Sequence, residues 1–188
     1  MIQYKFFSLP MMFVLSLFAT TILLSSACNR DDDDSNPNEE ELITSVILTF
    51  TVPGGASTSF SFKDTDGDGG ADPVVQNITL AAATTYDLDV KFLDESNPAD
   101  VEDITLEVAE ESAEHLICFS VEGGVPLPTV EDTDDNGKPL GLANRLMTTT
   151  TGSGKLTVRL KHQPDKNAAT PCDTGDTDVE ATFNVVVN

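Results

Sequence analysis

The sequence predicts a mainly β fold, an antiparallel sandwich of about eight strands with one short helix, and three observations lead there. From Leu42 onward, apolar and polar residues alternate in short runs, the two-residue period of a strand with one buried face. Gly, Pro, Asp and Asn separate the runs, which is the chemistry of turns. Composition points the same way, because the chain has no Trp, only two Tyr, ten Phe and an abundance of Thr and Val. Strand number and spacing together suit a sandwich of immunoglobulin-like type.

At 188 residues the chain has room for one domain of ordinary size. Residues 1–27 read as an export signal, with Lys5 as its positive start, an apolar stretch from Phe6 to Leu24 interrupted by Pro10, and small residues at Ser25-Ser26-Ala27. The run Leu24-Ser25-Ser26-Ala27-Cys28 resembles a bacterial lipobox, with Ser25 where Leu is usual. The resemblance implies that Cys28 is acylated, begins the mature chain and attaches it to a membrane, each buried methylene contributing about 0.8 kcal/mol. Residues 28–41, CNRDDDDSNPNEEE, are too polar to pack and read as an acidic tether. Acidic residues so close behind such a cysteine also resemble the surface-export signal of Bacteroidota lipoproteins. That implies the outer face of the outer membrane; a plain spacer leaving the protein on the periplasmic side is the alternative.

Residues 42–188 are the sandwich. LITSVILTFTV is closed by PGGAS, and STSFSFKD alternates with Phe60 and Phe62 on one face. VVQNITL, TTYDLDVKFLD, LICFSV, RLMTTTT, KLTVRLKHQ and DVEATFNVVV supply the remaining strands, and Gly152-Ser153-Gly154 reads as a hairpin turn within TTTTGSGKLTV. The segment from Ala99 to His115 has two registers: Val101, Ile104 and Val108 at helical spacing, or Ile104, Leu106 and Val108 at strand spacing. Its glutamates and alanines, and the Asn97-Pro98 before it, favour a short helix crossing one end of the sandwich.

With Cys28 lipidated, Cys118 and Cys172 remain as a pair in an oxidising compartment, where a disulfide is expected. Neither sits in a CxxC motif or beside a basic residue that would activate a thiol. KDTDGDGGADP places Asp64, Asp66, Asp68, Gly69 and Asp72 like the first nine positions of an EF-hand calcium loop, but Val75 stands where the bidentate Glu belongs. A bound Ca2+ and a plain acidic turn fit this loop equally. In EDTDDNGKPLG, Asp132, Asp134 and Asn136 repeat the start, yet Leu140 and Ala143 stand at the later ligand positions, so this loop reads as a turn. The two histidines, His115 and His162, have acidic neighbours at Glu110, Glu111, Glu114 and Asp165. Brought together with a carboxylate they would form a transition-metal site; apart, each is an ordinary strand-end residue.

The formal charge of −22 repels phosphates, which excludes nucleic acid as a partner and favours cations or basic surfaces. Catalytic motifs fail. GSGK lacks the first Gly of a phosphate loop, with Thr149 in its place, and Leu156 stands where Ser or Thr is required. Neither a GxSxG elbow nor an HExxH helix is present, and the absence of Trp weakens the case for a sugar-stacking platform. A non-enzyme is expected.

The order of lipobox, acidic tether, ELITSVILTF, FKDTDGDGGADP, the TTYDLDVKFLD strand, EDIT ending in EH, DDNGKPLGL, GSGKLTVRLKHQPDK and TDVEATFNVVV resembles small Bacteroidota lipoproteins. These are often given the label of a type 1 periplasmic-binding-fold superfamily. That fold needs two lobes of repeated strand-helix units, which this chain lacks the length and pattern to form. Two functions are therefore expected: a cation-binding surface lipoprotein accessory to an outer-membrane uptake receptor, or a structural or adhesive interaction module without metal.

Overall fold

The computed structural model describes residues 41–67 and 70–188. The export signal, Cys28 and all but the last residue of the tether lie outside the described residues, as do Asp68 and Gly69. Among the described residues no helix is long and apolar enough to cross a membrane.

The chain folds as a β-sandwich. One sheet comprises β1 (Ser45–Thr51), β2 (Ser57–Lys63), β3 (Val74–Val75), β5 (Thr85–Leu93), β7 (Thr129–Val130) and β8 (Ala143–Met147), in the order β3-β2-β1-β5-β8-β7. The other comprises β4 (Ile78–Leu80), β6 (His115–Gly123), β9 (Gly152–His162) and β10 (Asp176–Val187), in the order β4-β10-β9-β6. Neighbouring strands are antiparallel except β4 beside β10. Alternation fills the space between the sheets: Val46, Leu48 and Phe50 of β1 and Leu88, Val90 and Phe92 of β5 are buried in one core with Leu156, Val158 and Leu160 of β9 and Ala181, Phe183 and Val185 of β10. Phe62 meets Phe183 edge to face across the gap, with ring centroids 6.5 Å apart.

Three expectations change. VVQNITL is two strands, because the chain crosses between sheets at Gln76-Asn77: β3 pairs with β2, and β4 pairs with β10. TTTTGSGKLTV is not a hairpin. β8 pairs with β5 in the six-stranded sheet, whereas Gly152, Ser153 and Gly154 already belong to β9 in the other. Glycine at 154 serves close approach rather than turning, since a Cβ there would overlap the Glu122 carbonyl on β6. A short strand also appears at β7, which pairs with β8 through Thr129 and Val130.

The ambiguous acidic segment resolves as α1 (Ile104–Glu110). Ile104 and Val108 are buried while Leu106 is 65% exposed, so the helical period governs; Val101, ahead of the helix, is exposed. Thr105 pins α1 to β5, its Oγ1 accepting from the Phe92 N–H at 2.9 Å and donating to the Phe92 carbonyl at 3.1 Å. α1 thus leads from the six-stranded sheet to the four-stranded one. Cys118 of β6 is bonded to Cys172, which lies in a 3-10 turn at Pro171–Asp173, with Cα atoms 5.9 Å apart. The bond clips the β9–β10 connection onto β6.

Candidate metal centre

At one end of the sandwich the apolar inner faces give way to four titratable side chains. β9 continues its buried series Leu156, Val158, Leu160 into His162, and β6 begins with His115 two residues before the buried Ile117. Antiparallel register sets His115 opposite His162. Their rings stack at a centroid distance of 4.9 Å and 22° between planes. β10 adds Asp178 through a bulge: its pairing with β9 steps from Thr177 opposite Lys161 to Val179 opposite Leu160, leaving Asp178 as the extra residue. The extra residue breaks the alternation, and the Asp178 side chain is fully buried 3.8 Å from His162 Nδ1. Lys161 steadies the bulged segment by donating to the Gly175 carbonyl at 2.9 Å and to Thr177 Oγ1 at 2.8 Å. Glu41 arrives from the chain that enters β1. Its side chain is only 7% exposed, and its Oε1 lies 3.1 Å from His115 Nε2.

Donor atoms of Glu41, His115, His162 and Asp178 all lie within 4.8 Å of one another. Two ligands on a tetrahedral ion with bonds of about 2.0 Å are about 3.3 Å apart, so the 3.1 Å edge already fits and the others need a modest contraction. His115 is oriented as a metal-bound imidazole usually is, with Nδ1 held 3.2 Å from the Glu111 carbonyl and Nε2 turned inward. Three carboxylate oxygens, Oε2 of Glu41 and both of Asp178, are buried without a hydrogen-bond partner. That is an expensive arrangement for acceptors unless a cation or protons complete it.

Electrostatics sort the four groups. Burial opposes charge on His115, but the hydrogen bond and charge of Glu41 outweigh it and raise its pKa. Burial likewise works against an ionised Glu41, yet the His115 hydrogen bond and charge hold its carboxyl below the usual value. Asp178 is pushed up to about 6, first by burial and then by the neighbouring Glu41 charge. Below about pH 6 and without metal, protons on His115 and Asp178 offset the Glu41 charge. With both histidines neutral and both carboxylates ionised the cluster carries −2, which one divalent cation cancels. Paired imidazoles select borderline ions such as zinc, copper or nickel over calcium.

The acidic loops look different. Asp64 Oδ1 accepts from the Gly67 N–H at 3.0 Å and Asp66 Oδ2 from the Ala71 N–H at 3.0 Å, while Asp72 is exposed. Among the described residues Asp64, Asp66 and Asp72 do not gather as a ligand group. Asp132 caps the backbone N–H groups of Gly141, Leu142 and Ala143 at 2.7–3.1 Å. Asp134 accepts from the N–H groups of Asn136 and Lys138, and its second oxygen from Lys166 Nζ at 3.0 Å. These carboxylates hold loops in shape.

The expected acidic neighbours of the histidines are not the ones that converge. Glu110, Glu111, Glu114 and Asp165 all stand outside the four-residue cluster, Glu111 reaching His115 only through its carbonyl, and the carboxylates inside it are Glu41 and Asp178. By sequence Glu41 is the last residue of the acidic tether, and no motif singles out Asp178. One signal was present: the strict alternation LTVRLKH places His162 on the same face as three core residues, where a lone surface histidine would be out of phase. No protein-family model, no curated protein and no solved structure matches the chain, so the site is read from its own geometry.

Proposed function

We propose that this chain is a non-enzymatic cell-envelope lipoprotein, anchored through Cys28, whose sandwich binds one divalent transition cation between Glu41, His115, His162 and Asp178. The observation that carries the reading is the set of buried, unpartnered carboxylate oxygens facing two stacked imidazoles. The anchor and the acidic tether are sequence features, and with a cation site at the membrane they suit an accessory to an outer-membrane uptake receptor. Calcium at Asp64, Asp66, Asp68 and Asp72 stands lower, because Asp64 and Asp66 already accept bonds from their own loop. A metal-free interaction module is the second reading; it draws on the same self-satisfied loops.

Titrating Zn2+ calorimetrically, and Co2+ by visible absorption, into the full chain in detergent tests the proposal. One ion per chain is expected, with Co2+ bands of mixed nitrogen and oxygen ligation. His162→Gln should weaken binding beyond the 10–100-fold, roughly, that loss of an outer-shell partner alone causes. Absence of heat and of Co2+ bands, or binding indifferent to His162→Gln, would overturn it.

A further inference from the structure

The buried centre shares a ligand with an exposed group. Glu107, in the first turn of α1, and Glu111, its C-cap residue, lie four residues apart and so on one face, both exposed. Glu41 offers them a carboxylate oxygen within 4.8 Å, as it does the two histidines. The Glu41 side chain is nine-tenths buried, with Oε1 on His115 and Oε2 without a hydrogen-bond partner. Glu41 therefore stands between solvent-facing carboxylates and the buried imidazoles.

Resting on the cation-binding reading, we propose that Glu107 and Glu111 form the entrance to the metal centre, capturing a hydrated divalent cation that Glu41 then passes inward to His115, His162 and Asp178. One further observation fits this path. The same Glu111 that carries an outer carboxylate also holds His115 Nδ1 through its carbonyl, joining entrance and inner ligand in one turn. An entrance of this kind makes the cation exchangeable cargo rather than a sealed structural ion.

Stopped-flow mixing of the full chain with Co2+ at low salt separates entrance from binding site. The double variant Glu107→Gln/Glu111→Gln should lower the association rate constant about tenfold and flatten its salt dependence, as loss of electrostatic steering does. Its final spectrum and stoichiometry should match the parent. The charge-matched variant Glu110→Gln/Glu114→Gln, exposed but outside both groups, should bind nearly as fast as the parent. An unchanged rate in the first variant, or an equal loss in the second, overturns the entrance while leaving the metal centre standing. A changed final spectrum overturns it too, by making Glu107 or Glu111 a permanent ligand. If the parent gives no Co2+ bands, both proposals fall.

Discussion

Asp178 shows how much one inserted residue can do. In an unbroken strand the position would follow the outward-inward rhythm of Glu180 and Ala181; the bulge instead sends its carboxyl into the end of the core beside His162. Being buried next to Glu41, it keeps its proton up to about pH 6, against 3.8 for an ordinary aspartate. A group with a raised folded pKa contributes stability that is complete below its unfolded pKa and lost as pH rises through the folded one. His115, also raised, acts with the same sign at higher pH. Glu41, Glu95, Asp103 and Asp134 are lowered and act oppositely, but their stability is lost only as pH falls below the ordinary carboxylate range. With EDTA present, the melting temperature should therefore fall between about pH 4.5 and pH 7, and Asp178→Asn should flatten the part of that slope near pH 6. A melting temperature that rises across this window, or a slope untouched by the substitution, would refute the assignment. Little of this is legible in the sequence. His162 announces itself by alternation, but a bulge leaves no mark in a string of letters, and Glu41 is one of three consecutive glutamates at the end of an acidic run.

At the scale of elements, reading succeeds where burial imposes a period and falters where tertiary pairing decides. β1, β5, β9 and β10 have long alternating runs, so their faces are fixed by the need to bury every second side chain. The GSG at the start of β9 looks like a turn because glycine is a turn residue, whereas its use here is to let β6 and β9 backbones approach. α1 is legible in its glutamates, its alanines and the Asn97-Pro98 before it, and the burial of Ile104 and Val108 with Leu106 exposed bears out the helical register. The β9–β10 connection, which carries no periodicity at all, is held by chemistry instead: the Cys118–Cys172 bond and the Lys161 hydrogen bonds to Gly175 and Thr177. Gly175, at φ +69°, makes the turn into β10 in a space where a Cβ would strike the His162 carbonyl. Closing a loop of 54 residues is worth about 4 kcal/mol in the chain-entropy description. Cys118→Ala/Cys172→Ala should lower the free energy of urea unfolding by about that amount. A loss below about 1 kcal/mol would mean that the clip adds nothing to the hydrogen bonds around it.

For the molecule as a whole, the distribution of charge ties fold to address. The chain carries 32 acidic against 10 basic residues, and among the described residues few of these charges are buried, so the sandwich surface repels anionic headgroups as it would phosphates. In the proposed reading, a covalent lipid rather than this acidic surface holds the protein at the membrane. Such a lipid at Cys28 acts through about 0.8 kcal/mol per buried methylene, and two or more chains make the attachment durable where one is marginal. The proposed location thus depends on a single sulfur atom. Cys28→Ser should move the protein from the membrane fraction to the soluble fraction and abolish incorporation of labelled fatty acid, while the Co2+ spectrum stays the same because Glu41, His115, His162 and Asp178 are all retained. A Cys28→Ser chain that still sediments with membranes at high salt would show that some other surface, or an uncleaved apolar segment, provides the attachment.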